Sequence, residues 1–218
     1  MKKIIQTVLI LLFYAATTAL PGKLNAQEVT TLLPPQTEGG MPLMKALKNR
    51  KTSREFATKD ISAQQLSNLL WAACGYNRPE EKKRTAPSAM NYQEVDVYIA
   101  TAKGLFLYKP ENHSLTQIMK EDLREKTGKQ DFVKNAPLTL VYVADYAKMA
   151  KSDDKTKDAY AMADAAFISE NVYLYCASEG LATGVRAWID KDILAKAMNL
   201  SLTQHVILAQ TIGFPVVK

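Results

Sequence analysis

Apolar positions along this chain fall into short blocks with two different periods. Leu43, Met44 and Leu47, followed by the basic end Lys48, Asn49, Arg50, read as a short helix. A second helix is marked at its start by Ser62, which can cap the amide of Gln65 while the Gln65 side chain reaches back. Leu66, Leu69, Leu70 and Ala73 then repeat at helical spacing as far as Gly75. Val95, Val97 and Ile99 alternate with Asp96, Tyr98 and Ala100, Gly104 turns the chain, and Leu105 to Tyr108 returns, which predicts a hairpin. The run Leu138 to Ala144 is apolar but for Thr139 and predicts a buried strand. The longest helix is expected from about Asp158 to Glu179, with Ala161, Ala165, Ile168, Val172, Tyr175 and Cys176 inward and Gly180 as its stop. Beyond it, 184–189 is expected to be extended, 190–198 a short helix, and 206–214 a last strand broken by Pro215.

Helices and antiparallel strands mixed without a βαβ rhythm define an α+β class. The chain has no Gly-x-Gly-x-x-Gly and no Walker loop, so a Rossmann or P-loop nucleotide site is excluded as far as motifs can exclude it. The 47% apolar and 23% charged composition over 218 residues suits one globular domain.

The N-terminus stands apart from that domain. Lys2 and Lys3 precede an apolar run from Ile4 to Ala16, then small and turn residues up to Leu24, Asn25 and Ala26. This is the pattern of a cleavable secretory signal over 1–26, so export, to a periplasm in a bacterium, is expected. A membrane anchor fits less well, because the stretch from Ile4 to Gly22 holds Gln6, three Thr and Pro21. No stable membrane span is therefore expected after signal removal. Residues 27–41, with Pro34, Pro35, Gly39 and Gly40, are expected to form an extended segment before the domain at 42–218.

Loss of Lys2, Lys3 and Lys23 lowers Lys plus Arg from 28 to 25 against 22 acids, and the net charge from +6 to +3. The basic residues that remain are interspersed with acids, as in Lys120 to Lys129, and no aromatic platform alternates with them, which argues against a nucleic-acid partner. Two cysteines, Cys74 and Cys176, lie in apolar segments; they are either buried thiols or a disulfide in an oxidising compartment. Together with His113 and His205 they lack metal-ligand spacing, so no metal site is expected.

Three segments can carry chemistry. Arg50, Lys51, Thr52 and Arg54 set cationic groups and a hydroxyl at a helix end, where guanidinium forks would suit a phosphate; equally, they suit a solvated basic helix terminus. The run from Arg84 through Pro87, Ser88, Ala89 and Asn91 to Gln93 offers small residues and hydrogen-bonding side chains to a flat ligand, or forms an ordinary polar loop. Ser178 to Gly184 is a small-residue turn after the longest helix, whose amides could donate to a ring nitrogen that gains electrons.

Taken in order, Arg-x-[Ser/Thr]-x-[Arg/Lys]-x-Phe, Pro-Ser-x-x-Asn-x-Gln, Ala-Pro before a strand, a helix ending Glu-Gly-Leu-x-Thr, and Ile-Gly-Phe-Pro resemble the nitroreductase family over Pro42 to Pro215. The block from Leu66 to Tyr108, with Arg-Thr-Ala-Pro-Ser-Ala and Gly-Leu-Phe-Leu-Tyr-Lys-Pro-Glu-Asn-His, is similar to the branch related to peptide azoline dehydrogenases.

The resemblance implies a central antiparallel or mixed sheet flanked by helices, FMN as cofactor, and a homodimer with the flavin at its interface. By it, Arg50, Lys51, Thr52 and Arg54 serve the phosphate, ribityl chain or pyrimidine edge. Pro87, Ser88, Ala89 and Asn91 reach in from the other subunit, and Leu181, Ala182 and Thr183 lie by the flavin N5. Lys218 stands where relatives carry a further basic residue in a longer tail. Ala182 replaces a family glycine, which is tolerated only where positive φ is not required. The implied activity passes two electrons between a donor such as NAD(P)H and a small electron-poor acceptor, a nitroaromatic or quinone, with no side-chain acid, base or nucleophile required. The leader conflicts with a nicotinamide donor, which is scarce outside the cytoplasm. Two alternatives remain, a dehydrogenase of peptide azolines and an exported flavin-binding protein without NAD(P)H turnover.

Overall fold

The computed structural model describes residues 28–216. The proposed leader and Lys218 lie outside them. Nine strands and four α-helices follow in chain order among the described residues: β1 (Val29–Thr31), α1 (Leu43–Asn49), α2 (Ala63–Cys74), β2 (Tyr76–Arg78), β3 (Lys83–Arg84), β4 (Val95–Thr101), β5 (Gly104–Lys109), β6 (Ser114–Met119), β7 (Leu138–Asp145), α3 (Asp154–Glu179), β8 (Ala182–Arg186), α4 (Lys191–Ala197) and β9 (Gln204–Gly213). Seven strands form one sheet in the order β1-β6-β5-β4-β7-β9-β8, and every pairing in it is antiparallel. β2 and β3 make a separate two-stranded ribbon.

The apolar run of β7 is explained by its place. It lies between β4 and β9, and Leu138 to Ala144 are all buried, because both faces of the sheet are covered there. On one face, Val97, Ile99, Leu140 and Tyr142 meet α2 through Leu69, Leu70 and Ala73, and α3 through Ala161, Ala165, Ile168 and Val172. On the other, Tyr98, Ala100, Val141, Val143 and Ala209 pack with Leu123 and with Leu194 and Met198 around α4.

α2 begins with the expected capping box, the Gln65 N–H donating to Ser62 Oγ at 3.2 Å and the Ser62 N–H to Gln65 Oε1 at 3.2 Å. α3 starts at Asp154, earlier than its apolar period suggests, because Asp153 caps it by accepting from the Thr156 N–H at 2.8 Å. Gly180 ends α3 with φ +69°, a left-handed stop that suits glycine. Residues 182–186 form β8, so the extended segment starts and ends earlier than the expected 184–189. Cys74 and Cys176 are both free thiols in the core.

The segment before Pro42 holds more order than its composition predicts. β1 pairs with β6 in the register Val29↔Thr116 to Thr31↔Ser114 and forms an edge of the sheet. β1 and its partner β6 were both absent from the expected strands. The three β1 side chains are exposed, so no apolar alternation announces the strand; its pairing is made by backbone.

His113 ties this segment down. Ser67 Oγ donates to the Leu33 carbonyl at 2.5 Å and lies 2.8 Å from His113 Nε2, and Tyr108 Oη lies 2.8 Å from His113 Nδ1. With the Ser67 proton committed to Leu33, Nε2–H donates to Ser67, and in the neutral ring Nδ1 accepts from Tyr108. Burial accordingly pushes the His113 pKa below its ordinary 6.5. A histidine with a depressed folded-state pKa supports folding above 6.5, and this support fades as pH falls through the folded value. Thermal melts across this window should show the loss, and His113→Asn, which tolerates the +48° φ at this turn, should flatten it while lowering the neutral-pH Tm.

Candidate functional site

After α1 the chain runs extended alongside β8. Arg50 closes the helix by donating its N–H to the Ala46 carbonyl at 2.8 Å, and the Ser53 N–H donates to the Thr183 carbonyl at 2.8 Å. This approach depends on Gly184: a Cβ there would lie 2.8 Å from the Ser53 carbonyl oxygen and 3.3 Å from Thr52 Cγ2. Further on, the Ala57 N–H donates to the Phe214 carbonyl at 2.8 Å, and Phe56 packs with Phe132, Ala136 and Ala182. The first and third segments singled out above, 50–54 and 181–183, are thus joined directly.

Tyr173 on α3 supports the junction from below. Its hydroxyl accepts from the Val185 N–H at 3.0 Å and shares a hydrogen bond with Thr52 Oγ1 at 2.9 Å. Its ring carries the Arg50 guanidinium 5.2 Å from the centroid. Thr183 is oriented from inside the sheet. The fully buried Gln210 donates Nε2 to Thr183 Oγ1 at 3.1 Å and to the Ser169 carbonyl at 3.3 Å, while its Oε1 accepts from Tyr142 Oη at 2.5 Å.

These elements border a cleft of about 650 Å³ whose walls include Asn49, Lys51, Tyr173, Leu181, Thr183 and Pro215. Arg50 and Thr52 stand behind its rim on Tyr173, and Arg54 is exposed. Among the described residues no acid pairs with Arg50, Lys51 or Arg54. Of these three cations Lys51 lines the cleft, and the acid Glu55 lines it as well. Cys176 underlies the cleft, but burial pushes its thiol far up, away from thiolate chemistry. Ala182 lies in β8 and has no positive φ; the left-handed residue of the turn is Gly180, so the extra methyl is accommodated.

The middle segment is placed elsewhere. The Ala89 N–H donates to Asp164 Oδ2 at 2.9 Å, nine residues before Tyr173 on α3 and hence about 14 Å along the helix. Pro87 and Asn91 are exposed there, whereas the Ser88 hydroxyl is engaged inside the loop, accepting from the Gln93 N–H at 2.8 Å. Within one chain, 87–91 does not reach the cleft. Tyr173, Gln210 and Tyr142 went unnoticed in the sequence. A glutamine in the apolar run Val206 to Ile212 was the one available signal.

The family profile described as nitroreductase matches residues 47–214. The chain belongs to the nitroreductase family. Its match covers all the cleft walls except the tail after Phe214. A crystal structure described as a nitroreductase from Ralstonia eutropha is 44% identical, with a TM-score of 0.84 over 87% of this chain and 90% of that one. A nitroreductase relative from Methanocaldococcus jannaschii is 28% identical over 175 residues, which is 75% of this chain and 86% of the relative. The Escherichia coli microcin synthetase complex contains a chain with the same fold at 18% identity and a TM-score of 0.67. As a nitroreductase-family protein, this chain is an oxidoreductase.

Proposed function

We propose that this nitroreductase-family protein is an FMN-dependent oxidoreductase, active as a homodimer. In this reading it passes two electrons between a donor such as NAD(P)H and a small electron-poor acceptor of the nitroaromatic or quinone type. The observation that carries the reading is the junction of 50–54 with 181–183 on one cleft, made by the Ser53 N–H to Thr183 carbonyl bond. The residues present fit FMN: Lys51 lines the cleft and Arg50 stands on its Tyr173 wall to meet a phosphate, Gly184 keeps the backbone open, and apolar Leu181 and Pro215 can flank a planar ring. FMN when bound supplies the two-electron chemistry. The protein's part is to compensate charge through Arg50, Lys51 and Arg54, with Lys218 as a further candidate, and to position the ring through 181–183.

A dimer is supported by an exposed apolar stripe on α3, where Met162 and Phe167 are 43% and 48% exposed beside Ala159, Ala163 and Ala166. Leu43, Met44 and Leu47 of α1 are exposed as well. Apolar surface of this extent is covered in stable assemblies. In the proposed dimer, Pro87, Ser88, Ala89 and Asn91 serve the site of the other subunit.

The leader directs export in this reading, to a compartment where nicotinamide is scarce, so NAD(P)H stands in the test below for any two-electron donor that fits the cleft. Among the described residues no helix is long and apolar enough to cross a membrane. The test is a visible spectrum of the purified, FMN-reconstituted protein, followed by anaerobic NADH or NADPH. Bound flavin bleached by the nicotinamide is expected. Colourless protein after reconstitution would overturn the cofactor, and flavin bleached by dithionite but not by NAD(P)H would overturn the donor. The azoline-dehydrogenase reading is kept for the Leu66 to Tyr108 block; unchanged mass of a thiazoline peptide incubated with the flavin-loaded protein would dismiss it.

A further inference from the structure

Two acids absent from the reading above meet inside the protein. Glu94, just before β4, is fully buried, and Asp164 on α3 is 3% exposed. Glu94 Oε2 accepts from Ser88 Oγ at 3.3 Å, while Oε1 is buried without a hydrogen-bond partner. Asp164 Oδ2 accepts from the Ala89 N–H at 2.9 Å, so the two buried carboxyl groups are bound to the neighbouring residues Ser88 and Ala89 of one loop. Among the described residues neither acid has an ion pair with Lys, Arg or His.

Two adjoining carboxylates cannot both stay ionised away from water, and one proton between them supplies the donor that the buried oxygen lacks. The Glu94 backbone N–H and the Ser88 hydroxyl favour the charged carboxylate, but burial outweighs them and the nearby cations are engaged elsewhere. Arg84 of β3 donates to the Val95 carbonyl at 2.9 Å. Lys148, in the turn after β7, is spent on Asp96 at 3.0 Å and on the Gln93 carbonyl at 3.3 Å, and Tyr146 of that turn donates to Asp158.

The loop bound to this pair is strained. Met90, Asn91 and Gln93 have φ of 50°, 55° and 48°, so three non-glycine residues within four positions are left-handed. Such backbone persists only where its surroundings hold it. The holds are the Ala89 N–H to Asp164 bond, the Gln93 N–H to Ser88 Oγ bond, and Gln93 Nε2 on the Lys82 carbonyl at 2.7 Å.

We propose that Glu94 holds a proton that it donates to Asp164 and that this proton latches the 88–93 loop, which loosens when the proton is lost. Burial, and then the charge of Asp164, raise Glu94 to about 7, so the latch works near neutral pH. A carboxyl raised in the folded state contributes stability that is complete below its ordinary 4.5 and lost as pH rises through about 7. Under the proposed function, and resting on it, release of the loop weakens FMN binding in the neighbouring subunit.

Amide hydrogen exchange of the full chain, corrected for intrinsic rates, tests the latch. Protection of 88–94 in the wild type should fall about ten-fold between about pH 5.5 and about pH 8.5. Glu94→Gln, which offers Asp164 an amide donor at every pH, should remove this dependence, and Asp164→Asn should do the same should the first variant fail to fold. A protonated carboxyl C=O band in the infrared should disappear over the same range in the wild type only. Flat protection in the wild type, or the wild-type profile in the variants, overturns the proposal. FMN titrations in the same pH series separate the two readings: absence of flavin binding at every pH defeats the proposed function, while the exchange profile decides the latch.

Discussion

Gly184→Ala is expected to separate the 50–54 segment from β8 and to abolish tight FMN binding. The new methyl would meet the Ser53 carbonyl oxygen at 2.8 Å, and a backbone atom held by its own Ser53 N–H to Thr183 bond cannot rotate away as a side chain could. Overpacking of this kind costs about 1–3 kcal/mol, to which the loss of the adjoining hydrogen bond adds about 1 kcal/mol. Urea unfolding should register that loss, and flavin fluorescence titration the weakened site. Gly180→Ala is the contrasting variant: nothing lies within 4 Å of the added atom, and only the +69° φ penalises it, by about 1 kcal/mol. Wild-type FMN affinity in Gly184→Ala would show that the close approach of Thr52 and Ser53 plays no part in binding.

Arg50→Ala and Arg54→Ala should each weaken FMN about ten- to a hundred-fold, because a hydrogen bond to a charged group contributes about 1.5–3 kcal/mol. The two differ in their effect on the protein itself. Arg54 is exposed, so its removal should leave the melting temperature unchanged, whereas Arg50 rests on Tyr173 and should lower it slightly. Raising the salt concentration should narrow the gap between wild type and variants, as screening weakens exposed charge. Unchanged affinity in both variants would sink the assignment of this segment to the phosphate.

Elements whose side chains are sorted by burial were legible in the sequence. The stripe of α2 reflects one face turned to the core and the apolar run of β7 reflects two, while in β4 Val95, Val97 and Ile99 face one core and Tyr98 and Ala100 the other. β1 was not legible, because an edge strand with three exposed residues is specified by backbone pairing to β6 and not by its own pattern. The start of α3 was missed because Asp153, a cap, carries no apolar signal. At the site, the residues of 50–54 and 181–183 could be picked out, but their contact could not, since it spans well over a hundred positions and rests on a missing Cβ. Glu94 was invisible for a related reason. Between Gln93 and Val95 it reads as a surface acid, and only the fold sets it against Asp164, seventy residues on.

The strand order also constrains the sequence of events in biosynthesis. β7 lies inside the sheet, yet one of its two neighbours, β9, is the last of the described strands to leave the ribosome. Until residues 204–213 arrive, the most apolar strand of the molecule has one bare row of amides and carbonyls, an open template for pairing with another chain. A nascent or C-terminally shortened chain is therefore sticky at its centre, and escape from aggregation depends on how soon the final strand is delivered.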